Sequence, residues 1–286
     1  MEIYNEFRKI DNVSLALGFF DGVHRGHQVV LSKYNESKLA VITFKKHPLE
    51  VFGKPCSYLS TLGKRADLIE KSGADYLFEL DFTEEFSKIT GKEYLQTLIE
   101  YFHPICITTG FNHTFGADMQ GAKLLEEMQG KYNYKYIQIP PQKYNDEIIS
   151  SSLIREYICN GDIHTANCML GHSFSVNGKV IKGNQLGRQI GFPTANILYP
   201  SKTVNIPYGV YCTEVAGMRA VTNYGIKPTI GNYTPVMETH IIGFDKDIYG
   251  QDIEVEFIRK IRDEKKFDSI NDLKLQIIKD TEECSK

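Results

Sequence analysis

Two histidines, His24 and His27, stand three residues apart in the run Gly18-Phe19-Phe20-Asp21-Gly22-Val23-His24-Arg25-Gly26-His27-Gln28. At the start of a helix both rings face the same point. Their N–H groups are donors of the kind that stabilise charge developing on a phosphoryl oxygen. Gly18 and Gly22 let the backbone approach a ligand closely, with Phe20 and Asp21 between them. A glycine-rich turn with two surface histidines has the same local composition. The H-x-G-H spacing after F-D-G, directly behind an apolar strand, favours phosphate chemistry.

Further along, Ser151, Ser152 and Arg155 put two hydroxyls and a guanidinium within one turn. That set suits a triphosphate, with the arginine neutralising a leaving pyrophosphate. Alone it also describes an N-capped helix with a surface arginine. The segment from Gly178 to Asn196 carries Gly178, Gly183, Gly187 and Gly191 together with Lys179, Lys182 and Arg188. It reads as a flexible cationic loop whose N–H groups surround phosphates. It is neither G-x-x-x-x-G-K-[ST] nor G-x-G-x-x-G. After Pro193, Thr194 and Asn196 offer oxygens to a hard cation, Mg²⁺ beside nucleotide phosphates. Glu238 lies in an alternating stretch, with His240 on its face and Met237, Thr239 and Ile241 on the other. A carboxylate there can serve a primary alcohol as a base. Alone it reads as a solvated strand residue.

The elements that must position these residues change along the chain. Segments 13–17, 39–44, 74–80, 104–108 and 134–139 are short apolar strands. Helical stretches stand at 27–34, 61–71 and 93–102. This predicts a mostly parallel α/β sheet covered on both faces. Helices are expected at 152–159 and 165–170. β-structure follows, with an Asn177-Gly178 hairpin turn and strands at 209–215, 219–224, 236–244 and 253–258. An amphipathic helix over 269–280 closes the chain, with Ile270, Leu273, Ile277 and Ile278 on one side. The expected domains are 1–165 and 166–286.

The chain has 286 residues, 33 basic against 36 acidic, for a net charge of −3. That balance argues against a nucleic-acid binder. No apolar run reaches the ~18 residues a membrane span needs. The N-terminus has no apolar signal region. Six cysteines show no C-x-x-C and no zinc-ligand spacing. Reduced thiols and a cytoplasmic protein are expected.

The longer string GFFDGVHRGHQ resembles the adenylyltransferase module of bacterial bifunctional riboflavin kinase/FAD synthetases. Thr43-Phe44 with His47-Pro48 resembles that family's T-F-x-x-H-P. Gly110 to Gly116, containing Asn112, resembles its G-x-[ND]-F-x-F-G, with His113 in place of Phe. Ser150 to Arg155 resembles its S-S-T-x-I-R, with Ser152 in place of Thr. The segment 178–196 resembles the riboflavin kinase signature. So do Tyr208 to Tyr211, Tyr224 to Thr229, Glu238-Thr239-His240, Tyr249-Gly250 and Arg262 to Phe267.

The resemblance runs from about residue 13 to 281. It implies a Rossmann-like nucleotidyltransferase domain followed by a six-stranded antiparallel barrel. It also implies Glu238 as catalytic base and Thr194 and Asn196 as Mg–ATP contacts. The implied activity is phosphorylation of riboflavin to FMN, then adenylylation of FMN to FAD, each from ATP. A monomer or weak homo-oligomer with no nucleic-acid or membrane partner is expected. With no tryptophan, Phe20 and Phe115 are candidates to stack on the flavin, although core packing is the commoner fate of such aromatics. Three alternatives stand beside this reading. One is an enzyme whose adenylyltransferase is impaired by His113. Another is a flavin-binding regulator without turnover. The third is a nucleotidyltransferase for another phosphomonoester.

Overall fold

A computed structural model describes residues 1–32, 37–183, 186–229 and 232–286. The expected helix end near Tyr34, and Asn184 and Gln185 of the glycine-rich segment, lie outside the described residues. The chain divides into two compact units, residues 1–56 with 62–151, and residues 57–61 with 152–286.

In the first unit the chain runs β1 (Glu2–Tyr4), β2 (Ser14–Leu17), α1 (Arg25–Leu31), β3 (Leu39–Phe44), α2 (Pro48–Val51), α3 (Leu62–Lys71) and β4 (Tyr76–Leu80). It continues through α4 (Gly91–Phe102), β5 (Cys106–Gly110), α5 (Ala122–Tyr132), β6 (Lys135–Ile139) and the short pair β7 (Lys143–Tyr144) and β8 (Glu147–Ile148). Six strands form a parallel sheet in the order β1-β4-β3-β2-β5-β6. β2 and β4 are buried along their whole length, as in a sheet covered on both faces. One face buries Leu15, Ile42, Phe78 and Ile107 against α4 and α5; the other buries Ala16, Val41 and Leu77 with Leu31 and Ile69. The chain leaves β2 toward β3 on one side, and β5 lies on the other. The strand order therefore reverses between β2 and β5, where open α/β sheets place their ligands, beyond the carboxyl ends of the strands.

The second unit contains α6 (Ser151–Cys159), which begins at the division. It continues through α7 (Ile163–Leu170), β9 (Phe174–Ile181), α8 (Leu186–Gln189), β10 (Ala195–Leu198), β11 (Gly209–Val215), β12 (Met218–Thr229), β13 (Asn232–Ile241), β14 (Asp252–Arg262) and α9 (Ile270–Cys284). The six strands close into an antiparallel barrel in the order β10-β13-β12-β11-β14-β9. Thr213, Thr222 and Thr239 are fully buried and satisfy one another through hydroxyl bonds of 2.8 and 2.9 Å. The division drawn from sequence, 165/166, falls inside α7. That helix buries Ile163, Ala166, Met169 and Leu170, and Asn167 ties it to the Phe257 carbonyl and the Phe174 N–H.

Three sequence expectations are corrected. Asn177-Gly178 is not a hairpin turn. β9 runs straight through it, and Glu254, Ile253 and Asp252 pair with Asn177, Gly178 and Lys179 in turn. Gly178 is there for close approach, since a Cβ would stand 2.2 Å from Ile197 Cγ2. The cysteines are not all reduced: Cys212 and Cys284, 72 residues apart, form a disulfide between β11 and α9, while Cys56, Cys106, Cys159 and Cys168 are free. On α9 Leu273, Ile277 and Ile278 are half-buried, but Ile270 in the first turn is exposed.

Candidate functional sites

The turn leaving β2 is strained. Phe20, Gly22 and Val23 have φ of 57°, 74° and 39°. A β-branched residue at positive φ is an outlier. The conformation places His24 as N-cap of α1, its Nδ1 accepting the His27 backbone N–H at 3.2 Å. The proton of neutral His24 therefore sits on Nε2. The two imidazoles stack, with centroids 3.5 Å apart and planes 16° from parallel. The Phe20 ring meets His27 edge-on. Burial, then the charges of His24 and Arg65, hold His27 well below the ordinary imidazole value. Its Nδ1 is buried without a hydrogen-bond partner. Gly18 lies against the Phe20 ring, where a Cβ would stand 2.9 Å away.

The neighbouring motifs lock this turn. Thr43 Oγ1 donates to the Phe19 carbonyl at 3.0 Å, and Gln28 Nε2 to Val23 at 2.9 Å. His47 meets the Phe19 ring edge-on. Ser151 Oγ donates to the Asp21 carbonyl at 3.1 Å, joining two predicted motifs within one unit. Asn112 is exposed in the turn after β5, on the strand next to β2. The last glycine of that motif is structural. Gly116, at φ 77°, packs on Gly91, whose N–H donates to Asp118 at 2.7 Å. Ser152 and Arg155 belong to the second unit, where Arg155 Nε donates to the Ser57 carbonyl at 2.8 Å. Phe20 and Phe115 are both buried in the core. Sequence reasoning missed Arg65 of α3, which donates to the Phe19 carbonyl at 3.1 Å and the Phe44 carbonyl at 2.6 Å.

On the barrel, a cleft is lined by Gly183, Arg188, Pro193, Thr194 and Asn196, together with the 244–249 loop. Asn196 is buried and donates to the Thr194 carbonyl at 3.4 Å. Glu238 on β13 stands opposite Asn196 on β10 and opposite Asn223 on β12. His240 Nδ1 bonds the Pro193 carbonyl at 2.8 Å, fixing the turn before Thr194. Gly187 allows the Phe192 carbonyl to approach, and Gly191 takes φ 91°. Lys179 is exposed on β9 and, like Gly178, Gly187, Gly191 and Glu238, is not among the cleft's lining residues. The cleft residues Asp245, Lys246 and Asp247 were missed; only Tyr249-Gly250 pointed to that loop. Thr194 and Asn196 supply the hard oxygen donors that Mg²⁺ takes. The Asn196 amide lies over Gly183, where a Cβ would sit 2.8 Å from it.

A switch-point site on a parallel sheet and a cleft on a closed barrel define an α/β nucleotidyltransferase-type unit joined to a kinase-type barrel. A family model for FAD synthetase matches residues 7–153, and one for riboflavin kinase matches residues 170–286. The bifunctional riboflavin kinase/FMN adenylyltransferase of Haemophilus influenzae is 37% identical over 98% of this chain and 96% of its own. That of Bacillus subtilis is 35% identical over 94% and 90%. A crystal structure of a macrolide-efflux protein from Streptococcus pneumoniae matches at a TM-score of 0.87 and 29% identity, over 99% of this chain and 97% of that one. Among the described residues no helix is long and apolar enough to cross a membrane. The chain belongs to the bifunctional riboflavin kinase/FMN adenylyltransferase family.

Proposed function

We propose that the chain makes FAD from riboflavin in two ATP-dependent steps, with the second unit forming FMN and the first forming FAD. In the barrel, the primary hydroxyl of riboflavin attacks the γ-phosphorus of ATP. The new O–P bond forms as the bond to the β-phosphate oxygen breaks, and ADP leaves. A primary alcohol is a poor nucleophile at pH 7, so Glu238 takes its proton. Thr194 and Asn196 would hold Mg²⁺, and Lys179, Arg188 and the glycine-rich segment would bind the phosphates. When bound, Mg²⁺ neutralises phosphate charge.

In the first unit the nucleophile is the phosphate of FMN, already an anion, so no base is needed. It attacks the α-phosphorus of a second ATP, and pyrophosphate leaves. The demand is neutralisation of crowded negative charge, met by the His24 and His27 N–H groups, while the Ser151 hydroxyl holds the turn through the Asp21 carbonyl. The place of both reactions is the cytosol, where ATP is supplied.

The observation that carries the division is the stacked His24–His27 pair in the first unit, against Glu238 registered beside Asn196 in the second. Single substitutions test it. Glu238→Ala is expected to abolish FMN formation and spare FAD formation from supplied FMN. His27→Ala is expected to lower FAD formation by about 100-fold or more and spare FMN formation. Loss of both activities in either folded variant contradicts the division.

A further inference from the structure

The strained turn ahead of His24 is held from behind by a buried cation. Residues in sparsely populated φ/ψ regions persist only where their surroundings over-determine them. The Phe19 carbonyl receives two donors here, Thr43 Oγ1 at 3.0 Å and Arg65 Nη1 at 3.1 Å. The other arm of Arg65, Nη2, donates to the Phe44 carbonyl at 2.6 Å, and the guanidinium covers the Phe19 ring at 4.5 Å. Arg65 is only 3% exposed.

The nearby charge on the same side of the sheet is Glu79 of β4, 7% exposed and registered with Thr43. Burial pushes its carboxyl up, against the pull of Arg65 and Lys45. One of its oxygens has no hydrogen-bond partner. Lys45 itself pairs with Asp81 at 2.8 Å. Two buried charges cost more than an apolar pair of the same volume. What arginine does here that an apolar residue cannot is join two carbonyls with one rigid planar fork.

We propose that Arg65 is a positioning residue of the adenylyltransferase site, tying the turn that carries His24 and His27 to the end of β3 through the Phe19 and Phe44 carbonyls. This rests on the assignment of that site to the first unit. Arg65 acts through the turn, so its loss misplaces the phosphate donors while the sheet stays intact. Misplacement of about 1 Å costs on the order of 100-fold in rate.

The test uses the full chain with supplied FMN, ATP and Mg²⁺. Arg65→Met is compared with Arg65→Lys, which keeps one donor group but not the fork. The double variant Arg65→Met/Glu79→Leu removes both buried charges and guards against a single variant that fails to fold. For the double variant, kcat for FAD formation is expected to fall about 100-fold with KM for ATP little changed. Arg65→Lys is expected to recover part of that loss. Hydrogen exchange is expected to speed up at the amides of residues 19–24 and stay unchanged in β2 and β3. A folded double variant with native kcat overturns the proposal. So does a loss of rate that tracks lost protection in β2 and β3, which makes Arg65 merely structural. His27→Ala is run in parallel. If it leaves FAD formation intact, the site assignment itself has failed, independently of Arg65.

Discussion

Burial sets the protonation of His27 and His113, two histidines of the first unit. Burial, with the charges of His24 and Arg65, keeps His27 neutral; burial alone brings His113 down to about 4. Both folded values lie below the ordinary 6.5. As pH falls under 6.5 the unfolded chain binds protons that the folded chain refuses. The stabilisation is complete above 6.5 and is lost as pH falls, for His113 across the window from 6.5 to about 4. His113→Phe is therefore expected to flatten the fall of the first unit's Tm across that window. An unchanged slope contradicts this. Because His113 is neutral at pH 7 it adds no charge to the loop after β5, so the same variant is expected to leave FAD formation at pH 7 unchanged. A rise would instead favour the impaired-enzyme alternative.

At this scale the sequence motifs led to the strained turn after β2 and to the cleft on the barrel. Arg65 and Glu79 were legible in principle. Arg65 falls on the buried stripe of α3 with Ala66, Leu68 and Ile69, and Glu79 interrupts an apolar strand. A charge on a buried stripe signals a partner, but sequence does not reveal that the partners are the carbonyls of Phe19 and Phe44.

Elements were read where periodicity was strong and missed where a local signal misled. Asn-Gly is a hairpin signal only when the flanking strands pair with each other; here both flanks pair with β14. Gly178 reports the nearness of β10, a tertiary fact. Gly178→Ala is expected to overpack against Ile197 and destabilise the second unit by about 1–3 kcal/mol. Its Tm falls, and FMN formation is lost at a lower temperature than FAD formation from supplied FMN. Equal heat sensitivity of the two activities contradicts this. α4 begins at Gly91, earlier than expected, because Thr90 and Glu93 form a capping box. α5 was missed because its Gly121 N-cap gives no side-chain capping signal, although Leu124, Leu125, Met128 and Tyr132 recur at helical spacing and pack on the core.

For the whole molecule, two units with separate cores make the two activities separable. The Cys212–Cys284 disulfide closes a 72-residue separation wholly inside the second unit. In the chain-entropy account a loop of that length is worth about 4 kcal/mol. Reduction is expected to lower the Tm of the second unit by several degrees and leave the first unit's melting in place. A thermal melt with and without reductant reads this directly; an unchanged second-unit Tm contradicts it. Sequence could not give the pairing. The bond depends on α9 docking beside β11, a contact between distant parts of the chain.

The most direct test of the two-site account is a chromatographic time course from riboflavin, ATP and Mg²⁺. It is run on the native chain, Glu238→Ala, His27→Ala and a mixture of the two variants. The account predicts FMN rising before FAD with the native chain, no product with Glu238→Ala, and FMN accumulating with His27→Ala. The mixture then makes FAD, because FMN released by one variant serves the other. FAD from His27→Ala alone, or a mixture that stalls at FMN, would contradict it.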